Sequence, residues 1–208
     1  MKSTRMLGVA AIVAAGILWG TTGTVQSLMP EGRAPLAVGS FRMGFGAASL
    51  LLLAFLQPAS RQALRFLPWG HIVFAGTAIG GYNLLFFWAV TKAGIGIGTA
   101  VAIGSAPIWA TAAEIAMNRR LPGRLRVFGQ ALSIAGVGLL GVTGGAVEGS
   151  LFGIVLALLS GGCYAAYSLA TSRIGHLAPS TAIAAATFSV AALVTLPALL
   201  FVPLGWLA

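Results

Sequence analysis

Seven apolar stretches of about crossing length, separated by short loops, constrain this chain more than any other feature: 6–29, 35–56, 69–91, 95–117, 125–143, 150–170 and 180–203. An α-helix rises about 1.5 Å per residue and the hydrocarbon layer of a bilayer is roughly 30 Å thick, so about 20 residues make one crossing. Within that layer backbone polar groups must be satisfied inside the segment, which selects helices for continuous apolar runs. Composition points to the same solvent. Only 7% of the residues are charged and 58% are hydrophobic, whereas an ordinary water-soluble domain is nearer a quarter charged. The expected fold class is all-α, a polytopic transmembrane helix bundle with seven helices present. The first stretch follows a basic start, Lys2 and Arg5, as a signal peptide would. Its apolar run is longer than the ~7 to 15 residues of a leader and carries Trp19 near its middle, so it reads as a span.

A net charge of +9 invites a nucleic-acid reading, since clustered Lys and Arg form a phosphate-binding footprint. The distribution of the charges removes it. With the N-terminus inside, the cytoplasmic side receives Lys2, Arg5, Arg61, Arg65, Arg119, Arg120, Arg124, Arg126 and Arg173, and the outer side only Arg33 and Lys92 with Glu31 and Glu148. That bias is what the positive-inside rule requires of short loops. The expectation is a multi-pass protein of the cell (inner or plasma) membrane, N-terminus cytoplasmic, binding no nucleic acid. The single cysteine, Cys163, supports neither a disulfide framework nor a multi-cysteine metal site.

The chain also repeats itself. A shift of 145 lays Gly8 on Gly153, Gly16 on Gly161 and Trp19 on Tyr164; a shift of 144 lays Ala34-Pro35 on Ala178-Pro179, and Ala47, Ala48, Leu52, Ala54 and Leu56 on identical residues. A unit of five helices is odd, so the second copy starts on the opposite side of the membrane. The expected organisation is one complete five-helix repeat over 1–145 and the first two helices of an inverted second repeat over 146–208. Such repeats expose one central site alternately to either side in many secondary transporters. Ending at Trp206-Leu207-Ala208 directly after an apolar helix, the chain reads as a truncated product.

Leu18-Trp19-Gly20 in the first stretch, Ser40-Phe41-Arg42 in the second, Ala106-Pro107 in the fourth and Ala135-Gly136-Val137 in the fifth resemble the EamA domain of the drug/metabolite transporter superfamily. The resemblance spans the whole chain. It implies substrates of the amino-acid, nucleotide-sugar or small-drug kind. Arg119-Arg120 stands where many members carry an acid-base pair, a departure that bears on subfamily rather than fold.

Enzyme chemistry finds little foothold. Aspartate is absent, as are the G-x-x-x-x-G-K-S/T phosphate loop and the H-E-x-x-H zinc helix, so no metal and no cofactor is called for. His71 and His176 fall at helix ends as wetted imidazoles, and Lys2 and Lys92 lie too far toward termini and loops for a retinal Schiff base.

An ionisable group facing lipid is expensive, so charges inside spans face the bundle or a cavity. Arg42 lies seven residues into its span, roughly 10 Å deep; it binds an anionic group or anchors structure through backbone carbonyls, and the anchor is the assigned role. Glu114, in the last turn of its span, is either an interface anchor beside Arg119 or Arg120 or a proton-coupling site. Pro107 interrupts the fourth span, freeing backbone polarity for which Ser105 and Asn83 are the candidate partners. Trp19, Tyr82, Trp109 and Tyr164 sit inside their spans rather than at the interfaces where Trp and Tyr gather. The expected substrate cavity is lined by Trp19, Tyr82, Asn83, Ser105, Pro107, Trp109 and Tyr164, with ordinary packing the alternative for the aromatics. The G-x-x-x-G pairs Gly16/Gly20, Gly76/Gly80, Gly94/Gly98 and Gly141/Gly145 read as close helix packing.

The resulting expectation is a secondary transporter, an exporter of small organic metabolites, working by alternating access. Its partners are the bilayer, a small-molecule substrate and a coupling proton, with a homodimer or a missing C-terminal half. The alternative is a membrane assembly module that does not itself transport, or one chain of a two-chain transporter.

Overall fold

The computed structural model describes residues 2–28, 32, 34–119, 122–143, 150–203 and 205. The chain divides into two units, one of Met1–Arg33 with Leu204–Ala208, the other of Ala34–Pro203. The first contributes α1 (Lys2–Ser27), an apolar helix in which the Thr21 hydroxyl bonds back to the Leu18 carbonyl at 2.7 Å.

The second unit holds α2 (Pro35–Leu56), α3 (Pro58–Ala63), α4 (Trp69–Ala93), α5 (Ile95–Asn118), α6 (Arg124–Thr143), α7 (Leu151–Ile174) and α8 (Ser180–Thr195). Short 3-10 turns cover Leu64–Phe66 and Leu196–Phe201. Helix starts are set by proline rather than by side-chain caps: Pro35 and Pro58 open α2 and α3, where a missing N–H costs nothing. Gly94, at φ 82°, ends α4 with its N–H on the Val90 carbonyl and turns directly into α5, a conformation open to glycine at little cost.

All seven apolar stretches form helices, and none of the described residues is in a strand. Pro35–Leu56, Trp69–Ala93, Ile95–Met117, Leu151–Ile174 and Ser180–Phe201 are long and apolar enough to cross a membrane; α1 and α6 carry shorter apolar cores, Gly8–Leu18 and Val127–Gly136. Two features depart from the expected boundaries. The α3 turn between the second and third spans is too short to leave a hydropathy signal. The last span is α-helical only to Thr195 and tightens to 3-10 over Leu196–Phe201, because Pro197 cannot donate to the carbonyl four residues back.

Within the second unit α4 is the most enclosed span and packs against α2, α5, α7 and α8. It runs antiparallel to α7: Ile72 clusters with Ile174, the Ser160 hydroxyl donates to the Tyr82 carbonyl at 3.2 Å, and Gly153 abuts Ala93. It runs parallel to α8, where Gly76 meets Val190 and Gly80 meets Val194. A Cβ at Gly76 would strike Val190 and the Thr187 carbonyl. The Gly76/Gly80 pair therefore works as expected, bringing two backbones together in a medium where close contact rather than water exclusion drives helix association. Helices α2 and α8 are antiparallel. Ser40 donates to the Thr195 carbonyl at 2.9 Å near the start of α2 and the end of α8, and Ala47 shares a core cluster with Ala191 and Ala192.

Candidate functional site

The α4 sequence Tyr82-Asn83 places two polar side chains on the buried face of an apolar helix. Around them α4, α7 and α8 build a continuous ring system. Tyr82 stacks on Phe86 at 5.7 Å between centroids and tilts against Tyr164 at 5.3 Å. Tyr164 meets Tyr167 at 5.9 Å, and Tyr167 meets Phe188 of α8 edge-on at 6.3 Å. On the other side Phe86 meets Phe87 edge-on at 5.4 Å. Separations of ~4.5 to 7 Å in tilted or edge-on geometry are those that aromatic quadrupoles favour. The seam is thus both apolar and rich in phenol hydroxyls.

Asn83 is 1% exposed, and neither its carbonyl oxygen nor its amide nitrogen has a hydrogen-bond partner among the described residues. The amide nitrogen faces α2: a Cβ placed on Gly39 would lie 3.1 Å from it. The Thr187 hydroxyl of α8 is equally buried and unpartnered. An unsatisfied buried polar group costs about 1–3 kcal/mol.

Arg42 is exposed on α2, with its guanidinium carbon 5.6 Å from the centroid of Phe87, which follows Asn83 by one helical turn. This cation–π contact uses the ring face as a counter-charge in a medium that penalises a lone cation. The expected anchor through backbone carbonyls is replaced by anchoring on a ring, because among the described residues no carbonyl accepts from the guanidinium.

The other expected site residues are placed differently. Trp109 does not join the ring system. Its indole N–H donates to the Leu158 carbonyl of α7 at 3.0 Å and its ring lies over Gly162, leaving it 43% exposed; it ties α5 to α7. Ser105 is buried against Gly161, its hydroxyl on the Ala102 carbonyl at 3.3 Å. Pro107 lies inside a continuous α5. Neither Ser105 nor Asn83 turns toward it. Gln130 of α6 donates to the Pro107 carbonyl at 3.4 Å and to the Thr111 hydroxyl at 2.6 Å, tying α6 to α5 at acceptors other than the Ile103 carbonyl that the missing Pro107 N–H leaves without its helical donor. Glu114 is half-buried near the end of α5, which Arg119 terminates in a left-handed conformation at φ 50°. The Trp19 side chain, Arg120 and Glu148 lie outside the described residues.

Sequence reasoning missed Tyr167, Phe188, Thr187 and Gln130. For α7 a signal was present: Ser160, Tyr164, Tyr167 and Thr171 fall at i, i+4, i+7 and i+11, a polar stripe on an otherwise apolar helix. No comparable spacing marks Phe188 or Gln130. Among the described residues no group of three His, Cys, Asp or Glu side chains converges as metal ligands do.

The EamA-like transporter family model matches residues 6–142. An uncharacterized transporter of Bacillus subtilis strain 168, YwfM, is 34% identical over 197 residues, covering 94% of this chain and 66% of that protein. The threonine/homoserine exporter RhtA of Escherichia coli K12 is 31% identical over 204 residues, covering 95% of this chain and 61% of that protein. The chain spans a little under two thirds of the length of these curated relatives. No solved structure matches it significantly. The family match over most of the chain and the relatives above 30% identity agree with the helices and motifs, and the chain belongs to the EamA-like transporter family of multi-pass membrane proteins.

Proposed function

We propose that the chain acts in secondary export of small organic metabolites, amino acids foremost, by alternating access and without ATP, and that the seam around Tyr82, Asn83 and Tyr164 is part of the substrate path. The observation that carries this is the buried Asn83 amide, unpartnered beside phenol rings in the most enclosed span. A primary amide offers two donors and an acceptor, the complement of an amino acid's carboxylate and ammonium groups. The likeness to a threonine/homoserine exporter favours that substrate class. Trp109, Ser105 and Pro107 are assigned to an α5 wall of this path, and Glu114 to proton coupling.

Alternating access rests on the inverted repeat, 1–145 followed by 146–208. Repeat-equivalent helices of an inverted pair run in opposite directions, and those beside the axis meet at equivalent residues. The antiparallel α2 and α8, with Ala47 and its 144-shifted equivalent Ala191 in one cluster, support this arrangement over a direct repeat, whose equivalents would run parallel.

The deciding experiment is efflux of labelled threonine from vesicles carrying the purified chain, compared with protein-free vesicles. Threonine release accelerated by an imposed pH gradient is the expected result. Release at the protein-free rate for threonine, homoserine and a panel of cationic drugs removes the transporter reading and leaves the assembly module. Release that begins only when a second chain is co-reconstituted assigns the protein to a two-chain transporter.

A further inference from the structure

The segment linking α2 to α4 has a surface outside the proposed substrate path. Pro58–Ala63 forms α3 and Leu64–Phe66 continues it as a 3-10 turn. Leu67 is buried and Leu64 packs beside it in a cluster with Ile72, Ile174 and Ile183. The segment is therefore held against the bundle on one side, where α2 ends and α4 begins, at a boundary between hydrocarbon and water. Its other side presents Arg61, Gln62, Arg65 and Phe66 around a surface hollow of about 310 Å³. Arg61 and Arg65 are one helical turn apart, about 6 Å along the axis, and so share a face. Neither guanidinium has an ionic or hydrogen-bond partner among the described residues, and no acid lies anywhere between residues 57 and 69. Phe66 is 86% exposed and Trp69, at the start of α4, is 50% exposed.

We propose that Arg61 and Arg65, with Gln62 and Phe66 around them, form a binding site for the phosphate of an anionic membrane lipid. Two arginines lining one hollow match the several acceptor oxygens of a phosphodiester, which Arg engages in pairs. The hollow has the volume of a small-ligand site. Phe66 decides between a lipid and a free phosphate: an aromatic ring exposed to this extent beside the charges is matched by acyl chain and glycerol, and aromatic residues settle at that depth of a bilayer. Basic pockets at helix ends recognise lipid headgroups through the same combination of charge and apolar rim. The pinned Leu64 and Leu67 fix the spacing of the two arginines before the lipid arrives, which lowers the ordering cost of binding. The site depends on the chain lying in a membrane and not on its transporting anything.

The test uses the full chain in mild detergent, with bound lipid counted by native mass spectrometry across titrations of phosphatidylglycerol, phosphatidylcholine with the same acyl chains, and inorganic phosphate. Phosphatidylglycerol should bind about tenfold more tightly than phosphatidylcholine. The R61Q/R65Q variant should lose that preference, R124Q should keep it, and F66A should weaken both lipids without altering their ratio. If R61Q/R65Q is not recovered, R61K/R65K is measured in its place, where loss of the two-pronged geometry lowers the preference several-fold. An unchanged preference in either arginine variant overturns the site, as does equal binding of the two lipids by the wild type. Displacement of phosphatidylglycerol by equimolar inorganic phosphate would also overturn it, because the acyl chains would then contribute nothing. Threonine efflux is not part of the readout, so failure of the transporter reading leaves this result standing.

Discussion

Asn83 poses the sharpest question at the scale of single residues, because its buried amide has no partner among the described residues. Asn83→Leu removes the polar atoms at similar volume and relieves the ~1–3 kcal/mol of an unsatisfied group. Its thermal midpoint in detergent should equal or exceed the wild type's, while threonine efflux falls at least tenfold. A variant that is both stable and fully active would return Asn83 to packing. Glu114 is a different case, the one acid within a crossing helix among the described residues. If it carries the coupling proton, Glu114→Gln should abolish efflux driven by a pH gradient while threonine exchange between equal pools continues. Loss of both activities together, at normal expression, would mark it as a structural anchor.

Among the helices, the α4–α8 pair depends on glycine. A Cβ at Gly76 has no room against Val190 and the Thr187 carbonyl, whereas one at Gly81 would sit 3.6 Å from the Cys163 sulfur in ordinary contact. Gly76→Ala should therefore destabilise the protein by about 1–3 kcal/mol, the cost of overpacking, and Gly81→Ala should be neutral or mildly stabilising; thermal unfolding of the two variants side by side checks the contrast. The five helices long and apolar enough to cross among the described residues were legible in advance, because in lipid each span carries its own signal, continuous hydropathy of fixed length. What stayed hidden was local or lateral. The six residues of α3 are too few to register, and the 3-10 ending of the last span is a consequence of Pro197. Of the candidate site, Tyr82 and Tyr164 do meet, since an aromatic residue deep within a span has few places to go except a neighbouring helix. That Trp109 would turn instead to the Leu158 carbonyl was not legible, because helix rotation is decided by small residues such as Gly162 on the partner.

For the whole molecule, the decisive quantity is which way each loop faces, since the proposed repeat and the proposed mechanism both depend on topology. The basic residues favour an inside N-terminus, and in that orientation α2 enters from the outer side and α8 from the inner side, as their antiparallel contact between Ser40 and Thr195 requires. Cys163, half-buried in α7, is first replaced by serine so that no native thiol reacts. Single cysteines are then introduced at Arg61, Arg120, Arg33 and Glu148 and probed in intact cells with a maleimide that cannot cross the membrane. Cysteines at Arg61 and Arg120 should react only after the cells are opened, and those at Arg33 and Glu148 in intact cells. The Arg61 position carries double weight, because the lipid site places it at a headgroup boundary whichever side it faces, while the positive-inside rule expects the cytoplasmic side and the proposed repeat requires only the side opposite Glu148. Labelling at Arg61 and Glu148 from the same side would give an even number of crossings between them. The proposed repeat takes α4, α5 and α6 as three crossings, so that outcome would remove the odd-numbered repeat and with it the inversion on which the proposed alternating access depends.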